Sequence, residues 1–238
     1  LAPMQAENRD LVRIGLKALA KVQRPGLRAL AEIAKVDLRA VDTEMCGWQL
    51  GPRLNAAGRM AHARTALELL LTDDQAEARR LASVLDNLNR QRRKDTDAAL
   101  EEVEASLTSQ ELSAPLIIFG SEAISQGIIG LVAARLVELH HRPAIVLQLI
   151  DGEGRASCRS IDAFDITALL RRHDDLFLRY GGHRAAAGFS IDLARLSEVR
   201  ERLVADAAER LMPDDLSPIL EVETELQLTS VDGEFLRW

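Results

Sequence analysis

Residues 116–149, LIIFGSEAISQGIIGLVAARLVELHHRPAIVLQL, contain the pattern that decides the fold class. The short apolar runs at 116–119 and 144–149 are typical of buried strands. Between them, the spacing of apolar residues over 128–139 predicts a helix. A strand, a helix and a second strand in this order indicate an α/β fold.

The same alternation continues toward the C-terminus. Sequence RASCRSI (155–161) predicts a strand, 165–173 a helix, AAAGFSI (185–191) a strand and 194–212 a helix. We therefore predict an α/β domain with a mixed sheet over residues 113–217. Beyond Pro218, apolar residues alternate again. This alternation predicts a new strand, so residues 218–238 are expected to begin a further β domain.

The front of the chain shows no strand pattern before position 115. Residues 1–73 are predicted to be all-helical, with a loop at Gly51 and Pro52 between two helices. A run without glycine or proline then extends over 74–107, and its middle, NRQRRKDTD (89–97), is polar on every side. A helix of this kind usually crosses solvent between two bodies. Residues 74–112 are therefore predicted to form a rigid helical connector.

Composition limits the class of protein. No apolar run approaches the ~18 residues of a membrane span, and the N-terminal LAPMQAENRD lacks the pattern of a signal peptide. Cys46 and Cys158 lie far apart without metal-ligand spacing, so we expect two reduced thiols in a cytoplasmic protein.

The net charge of −7 needs to be located along the chain. Residues 191–238 hold 12 acidic residues and 5 arginines, which leaves 25 acidic and 25 basic residues in 1–190. A neutral body can still carry a local basic groove, because the patch decides binding rather than the total charge. Composition alone neither supports nor excludes nucleic acid.

Segment GPRLNAAGRM (51–60) is the first candidate for binding chemistry. Its glycines and alanines allow a backbone to approach a ligand closely, and the guanidinium groups of Arg53 and Arg59 suit phosphate. Asn55 adds a neutral donor and acceptor. A surface turn with solvated arginines explains the composition equally well.

Segment GRASCRSI (154–161) is the second candidate. In a strand, Arg155, Ser157 and Arg159 share one face, and Ser160 lies on the other. Two guanidinium groups flanking a hydroxyl would form a phosphate cradle. The alternative is an edge strand with a solvated polar face.

Segment GGHRAAAGFS (181–190) is the third. Gly181 and Gly182 are expected to form a tight turn or an anion-binding nest before His183, which could donate to a phosphoryl oxygen or act as a general acid. A turn histidine with a satisfied hydrogen bond is the alternative. Weaker candidates are Gln126, where a helix starts after a strand, and the basic run 90–94, which is either a solvated face or a strip facing nucleic acid.

Together and in this order, these segments resemble the RecJ family of single-strand exonucleases, within the DHH phosphoesterase superfamily. The resemblance is carried by ENRDLVRIGLKAL, RPGLRAL, GPRLNAAGRM, DNLNRQRR, QGIIGLVAARLVE, HRPAIVL, GRASCRSI and YGGHRAAAGFSI. It covers nearly the whole chain, and GPRLNAAGR and GGHRAAAGFS are its most diagnostic parts. The aromatic residue that the family has before its QG motif is absent from SEAISQG (121–127).

The resemblance implies a domain plan. Residues 1–73 would be the helical end of a DHH domain, 74–112 the connector, 113–217 the DHH-associated domain and 218–238 the first part of a truncated OB-fold. Two divalent metals, Mn²⁺ or Mg²⁺, would be held by DHH residues that have no counterpart here. This span is therefore expected to contain no metal ligand and to be inactive alone.

The resemblance also assigns roles to individual residues, in a two-metal phosphodiester hydrolysis of single-stranded DNA from its 5′ end. One group lines the phosphate path, a second holds the terminal 5′-phosphate or its neighbour, and a third closes over the metal site. These groups are, respectively, Arg53, Asn55 and Arg59; Ser157, Arg159 and Ser160; and Gly181, Gly182 and His183, with Gln126 as a further phosphate contact.

The expected partners are single-stranded DNA, a single-strand-binding protein or a helicase, in DNA repair and recombination, with no membrane. Two alternatives remain open at this point. One is a DHH phosphoesterase acting on short oligonucleotides or small phosphorylated molecules. The other is a non-catalytic nucleic-acid-binding module.

Overall fold

The computed structural model describes residues 4–220, 222, 224–226 and 231. Its front part is helical, as predicted. The helices are α1 (Ala6–Leu19), α2 (Pro25–Ala34), α3 (Gly51–Met60), α4 (Arg64–Leu71), α5 (Gln75–Ser106) and α6 (Ser109–Leu112). They are followed by β1 (Ile117–Ser121), α7 (Ile129–His140), β2 (Ala144–Ile150), β3 (Glu153–Arg159), α8 (Ile166–Arg172), β4 (Arg179–His183), β5 (Ala186–Asp192) and α9 (Leu196–Arg210).

The loop expected at Gly51 and Pro52 is not present, and that prediction is wrong. A π-helical turn at Met45–Leu50 runs directly into α3, so the whole GPRLNAAGRM segment is helical. Proline is compatible with the first turn of a helix because the amide hydrogen it lacks has no partner there. Ala56 and Ala57 are fully buried, which shows that packing of small residues outweighs the loop-like composition.

Helix α5 joins two hydrophobic cores. Its first half buries Ala78, Leu81 and Leu85 against α2, α3 and α4. Its second half buries Ala99 and Val103 with α7 and the first two strands. Asp74 begins the helix, because its carboxylate accepts hydrogen bonds from the amides of the first turn. At about 1.5 Å per residue, α5 is nearly 50 Å long.

The polar run 89–97 of α5 is exposed or half-buried except at its start, where the helix packs against its neighbours. Asn89 is 5% exposed and Asp86 7% exposed. Asp86 accepts a hydrogen bond from Arg53 Nε at 2.9 Å and lies 3.0 Å from Arg90. Asp86 thus joins α5 to α3, whereas residues 90–98 of α5 include no buried residue.

The sheet is mixed, as predicted, with the strand order β1-β2-β3-β5-β4. β1 and β2 are parallel and are connected through α7, while the other neighbours are antiparallel. One face carries α8 and α9 over a core that includes Cys158, Leu170 and Leu203. The opposite face carries the end of α5 and α7, and α7 packs against β2 and β3.

Both cysteines are free, as expected. Burial raises the pKa of the Cys158 thiol well above its usual range, so this thiol is not a nucleophile at neutral pH. The strand predicted after Pro218 falls largely on residues outside the described ranges. Within the described ranges, no helix is both long and apolar enough to cross a membrane.

An ion-pair cluster fastens α8 to α9 and gives stability a pH dependence. Burial alone would raise the pKa of Asp206, but hydrogen bonds from Arg172, Arg210 and His173 outweigh it and hold that pKa well below its usual range. Because the folded pKa is depressed, the cluster stabilises fully above about pH 4, the ordinary aspartate pKa, and less as pH falls further.

We therefore expect Asp206→Asn to lower the free energy of unfolding at about pH 7, and by a smaller amount at about pH 3, where the stabilisation is partly lost. Urea unfolding at both pH values measures this difference. Asp10→Asn is the control, because Asp10 forms an exposed pair with Arg13. A destabilisation by Asp206→Asn that is the same at both pH values would contradict the argument.

Candidate nucleic-acid interface

β3, β5 and β4 present a polar face beside α7, which borders this face where it packs against β3. On β3, alternate residues Gly154, Ala156 and Cys158 are buried, whereas Arg155, Ser157 and Arg159 face the other side. This alternation confirms the predicted arrangement of the GRASCRSI strand. Because α7 packs against β2 and β3 and not against β5 and β4, this face is open over β5 and β4 and along the edge of α7 on β3.

The register places the second and third segments side by side. Residues that pair in neighbouring strands point to the same face. Three rows therefore cross the open face: Arg159–Ala186–His183, Ser157–Gly188–Gly181 and Arg155–Ser190–Arg179. We call this surface the platform. It combines guanidinium groups, hydroxyls and an imidazole with residues small enough for a ligand to reach the backbone.

The paired glycines lie inside β4, and not in a tight turn as expected. The turn follows at residues 184–185. Gly182 needs to be glycine: its φ is +154°, and a Cβ there would lie 2.4 Å from the Cα of Ala187. A Cβ on Gly181 would meet no atom within 4 Å, so its space is open. Gly181 borders the platform, and Gly182 shapes the hairpin.

His183 ends β4 and is exposed, like every residue of that strand. Its backbone carbonyl accepts a hydrogen bond from Thr167 Oγ1 at 2.7 Å, which fixes the strand end against α8. The hydrogen bonds among described residues do not engage its imidazole. The ring is therefore free to donate to a ligand on the platform.

The first segment reaches the platform through the C-terminal end of α3. Arg59 donates from Nη1 to the carbonyl of Gly127 at 3.3 Å. Gly127 allows this approach, since a Cβ on it would lie 2.0 Å from the carbonyl oxygen of Arg59. In the first turn of α7, a Cβ on Gly130 would lie 2.9 Å from Ser157 Oγ. α3, the start of α7 and β3 thus meet at one point.

Arg59 lies near enough to both Arg92 and Arg159 for its charge to act on them, and we call these three residues the arginine cluster. Burial lowers the pKa of Arg159, and the charge of Arg59 lowers it further. Burial also lowers the pKa of Arg92, again with a contribution from Arg59. None of the three forms an ion pair with a described residue. Guanidinium groups held together without a carboxylate favour an anion between them.

Arg92 was not singled out from the sequence, although it lies in the basic run 90–94. Its Nε is buried without a hydrogen-bond partner. Arg92 and Arg93 also line a cleft of about 560 Å³ with Arg135 of α7. Arg90 instead pairs with Asp86. The basic run is therefore divided between a structural ion pair and a surface suited to nucleic acid, and its composition gave no means to separate the two.

The other predicted residues take different positions. Arg53 lies against Asp86 and donates to the carbonyl of Gln49, which gives it a structural role between α3 and α5. Asn55 is exposed one turn before Arg59. Gln126 accepts a hydrogen bond from Arg155 at 3.3 Å. Ser160 donates to the carbonyl of Phe164 and lies off the platform. Arg159 donates to Ser157 Oγ at 3.1 Å, which joins the predicted pair directly.

The described residues contain no group of three or more His, Cys, Asp or Glu side chains that could hold a metal ion. The donor set of the platform, arginine, serine and glycine, suits anions and not Mn²⁺ or Mg²⁺.

Comparison with known proteins gives this geometry a context. Residues 112–211 match the DHHA1 domain family. The single-stranded-DNA-specific exonuclease RecJ of Bacillus subtilis is 34% identical over 225 residues, which cover 94% of this chain and 29% of the relative. RecJ of Escherichia coli is 35% identical over 90% of this chain and 39% of the relative.

Solved structures agree with this comparison. The crystal structure of RecJ from Thermus thermophilus in complex with Mg²⁺ matches 90% of this chain with a TM-score of 0.80 and 35% identity. The chain covers 33% of that structure. It thus spans about a third of the length of the relatives that it matches.

Proposed function

On the premise that the chain is a RecJ-like segment containing a DHHA1 domain, we propose that it supplies the strand-holding part of a single-strand-specific 5′-to-3′ exonuclease. The arginine cluster carries this proposal. It draws one guanidinium group from the helical front, one from the connector and one from the sheet, and leaves all three without an acidic partner among the described residues. A phosphate of a nucleic-acid strand is the ligand that such a cluster suits best.

Different residues of the platform would contact different parts of the bound strand. Ser157 and Arg159 would hold the terminal 5′-phosphate or its neighbour, with Arg59 and Arg92 neutralising its charge. Gly181 and Gly188 would let the strand lie close to the sheet. His183, at the end of the same row as Arg159, would donate a hydrogen bond to a phosphoryl oxygen.

The wider function follows from the relatives and stays a proposal for this chain. Residues outside this span would hold Mn²⁺ or Mg²⁺, and these ions would supply the activated water for phosphodiester hydrolysis. The role would lie in DNA repair and recombination in the cytoplasm. A single-strand-binding protein or a helicase would deliver the DNA, and the residues after 217 would begin an OB-fold.

Arg159→Ala is expected to weaken binding of a 5′-phosphorylated single-stranded oligonucleotide roughly 10- to 100-fold, because charged hydrogen bonds contribute about 1.5–3 kcal/mol. Arg92→Ala should act in the same direction. Fluorescence anisotropy at about 50 and about 200 mM salt measures affinity and salt dependence, and the slope should fall by about one for each lost phosphate contact.

Arg171→Ala is the matched control, since Arg171 is an exposed arginine on α8, on the other side of the sheet. Its affinity should equal that of the unmodified chain. If Arg159→Ala and Arg171→Ala bind alike at both salt concentrations, the cluster does not hold the strand and the proposal fails.

A further inference from the structure

The platform extends beyond the arginine cluster, to a row that the assignment above leaves without a role. Arg155 and Arg179 both pair in register with Ser190, one from each side. Arg179 Nε donates to Ser190 Oγ at 3.0 Å, and Ser190 is only 5% exposed. Partners in an antiparallel ladder lie about 5 Å apart, so two guanidinium groups flank one buried hydroxyl.

The charges of this row are only partly compensated within the described residues. Arg155 Nε forms a long ion pair of 3.7 Å with Glu153, without a hydrogen bond. Its Nε is buried without a hydrogen-bond partner, and its Nη1 makes a long contact of 3.3 Å with Gln126. Arg179 forms no ion pair with any described residue. Both groups therefore retain donors for an anion.

The row borders a concavity with room for a ligand. Arg155, Arg179 and Ser190 line a hollow of about 350 Å³, together with Gln126, Gly181 and Gly188. The open space above Gly181, where a Cβ would meet nothing within 4 Å, belongs to the same hollow. A ligand here would contact the sheet between the Arg155 row and the Ser157 row.

The distance between the rows indicates what the ligand is. Arg155 is two residues from Ser157 on β3, which corresponds to about 6.7 Å along the strand. This spacing resembles the step between successive phosphates in an extended single strand. The next pair in the register, Glu153 and Asp192, is acidic and would repel a further phosphate. The basic rows are thus limited to a short stretch.

We propose that Arg155, Arg179 and Ser190 form a second phosphate subsite, which binds the phosphate one nucleotide away from the one held by Ser157 and Arg159. The inference rests on the proposed function and deepens it. The strand would run along β3, and the platform would hold one nucleotide between two phosphates. Binding would then require both phosphates at this separation and would discriminate against a mononucleotide with one.

Deoxythymidine 3′,5′-bisphosphate and deoxythymidine 5′-monophosphate are the probes, because they differ by the second phosphate alone. Isothermal titration of the 238-residue chain should show roughly tenfold tighter binding of the bisphosphate. Arg179→Gln keeps a donor for Ser190 but removes the charge. It should abolish this preference and leave the affinity for the monophosphate unchanged, whereas the control Arg171→Gln should preserve both affinities.

The outcomes separate this inference from the proposed function. If Arg159→Ala does not weaken binding of the monophosphate, the proposed function fails, and the inference fails with it. If Arg159→Ala does weaken binding of the monophosphate, but Arg179→Gln still binds the bisphosphate more tightly than the monophosphate, the second subsite alone is overturned. Equal binding of both probes by the unmodified chain would overturn it as well. Circular dichroism of each variant checks that the fold is intact.

Discussion

Replacing Asp86 with alanine is expected to lower the free energy of unfolding by about 3–5 kcal/mol, because it leaves a buried charge without its partner. The side chains of Asp86 and Arg53 are 11% and 18% exposed, and they join α5 to α3 through a hydrogen bond of 2.9 Å. Arg53 cannot reach water easily, so its guanidinium would lose most of its compensation.

Arg90→Ala provides the control for this prediction. Arg90 is the other partner of Asp86, and the side chain of Arg90 is 65% exposed. Ion pairs with such exposed groups contribute about 0–1 kcal/mol. Urea denaturation followed by circular dichroism measures both variants. Similar losses for Asp86→Ala and Arg90→Ala would show that the buried pair does not stabilise the junction between α3 and α5.

Gly182→Ala and Gly181→Ala are expected to have opposite consequences, although the residues are adjacent. A Cβ on Gly182 would lie 2.4 to 2.6 Å from atoms of Ala186 and Ala187, at a φ of +154°. Such overlap with backbone should cost at least about 3 kcal/mol and separate β4 from β5. A Cβ on Gly181 meets no atom, so stability should change by less than about 1 kcal/mol.

Binding should respond in the reverse order for variants that remain folded. The methyl group of Gly181→Ala projects into the platform, so affinity for 5′-phosphorylated single-stranded DNA should fall severalfold at unchanged thermal stability. Thermal unfolding and fluorescence anisotropy on the same samples give both quantities. Intact binding by Gly181→Ala would mean that the strand does not approach the sheet at this row.

The sequence allowed the α/β architecture to be predicted because apolar periodicity reports burial directly. The strands β1, β2, β3 and β5 lie within a few residues of the predicted positions. β4 was missed as a strand, because RYGGH has no apolar alternation and every one of its residues is exposed. The helical state of GPRLNAAGRM was missed for a related reason: glycine and proline disfavour helices locally, whereas packing of Ala56 and Ala57 is a tertiary effect.

The candidate site was predictable by segment and less so by residue. Ser157 and Arg159 share a face because strand periodicity is strict. The separation of Arg53 from Arg59 depends on which side of α3 meets α5, and no local pattern encodes it. The role of Arg92 could not be predicted from the sequence, because only its neighbours in space distinguish it from Arg90 and Arg93.

The length of α5 sets an angle as well as a distance. Each residue of an α-helix adds about 100° of rotation and about 1.5 Å of translation. One residue inserted between Leu85 and Ala99 would turn the sheet relative to the helical front by more than a quarter of a revolution. Arg59 and Arg159 would then face different directions, with both cores still intact. The length of α5 therefore fixes the relative orientation of the two parts. Only insertions or deletions close to a whole number of helical turns would preserve the alignment of the arginine cluster.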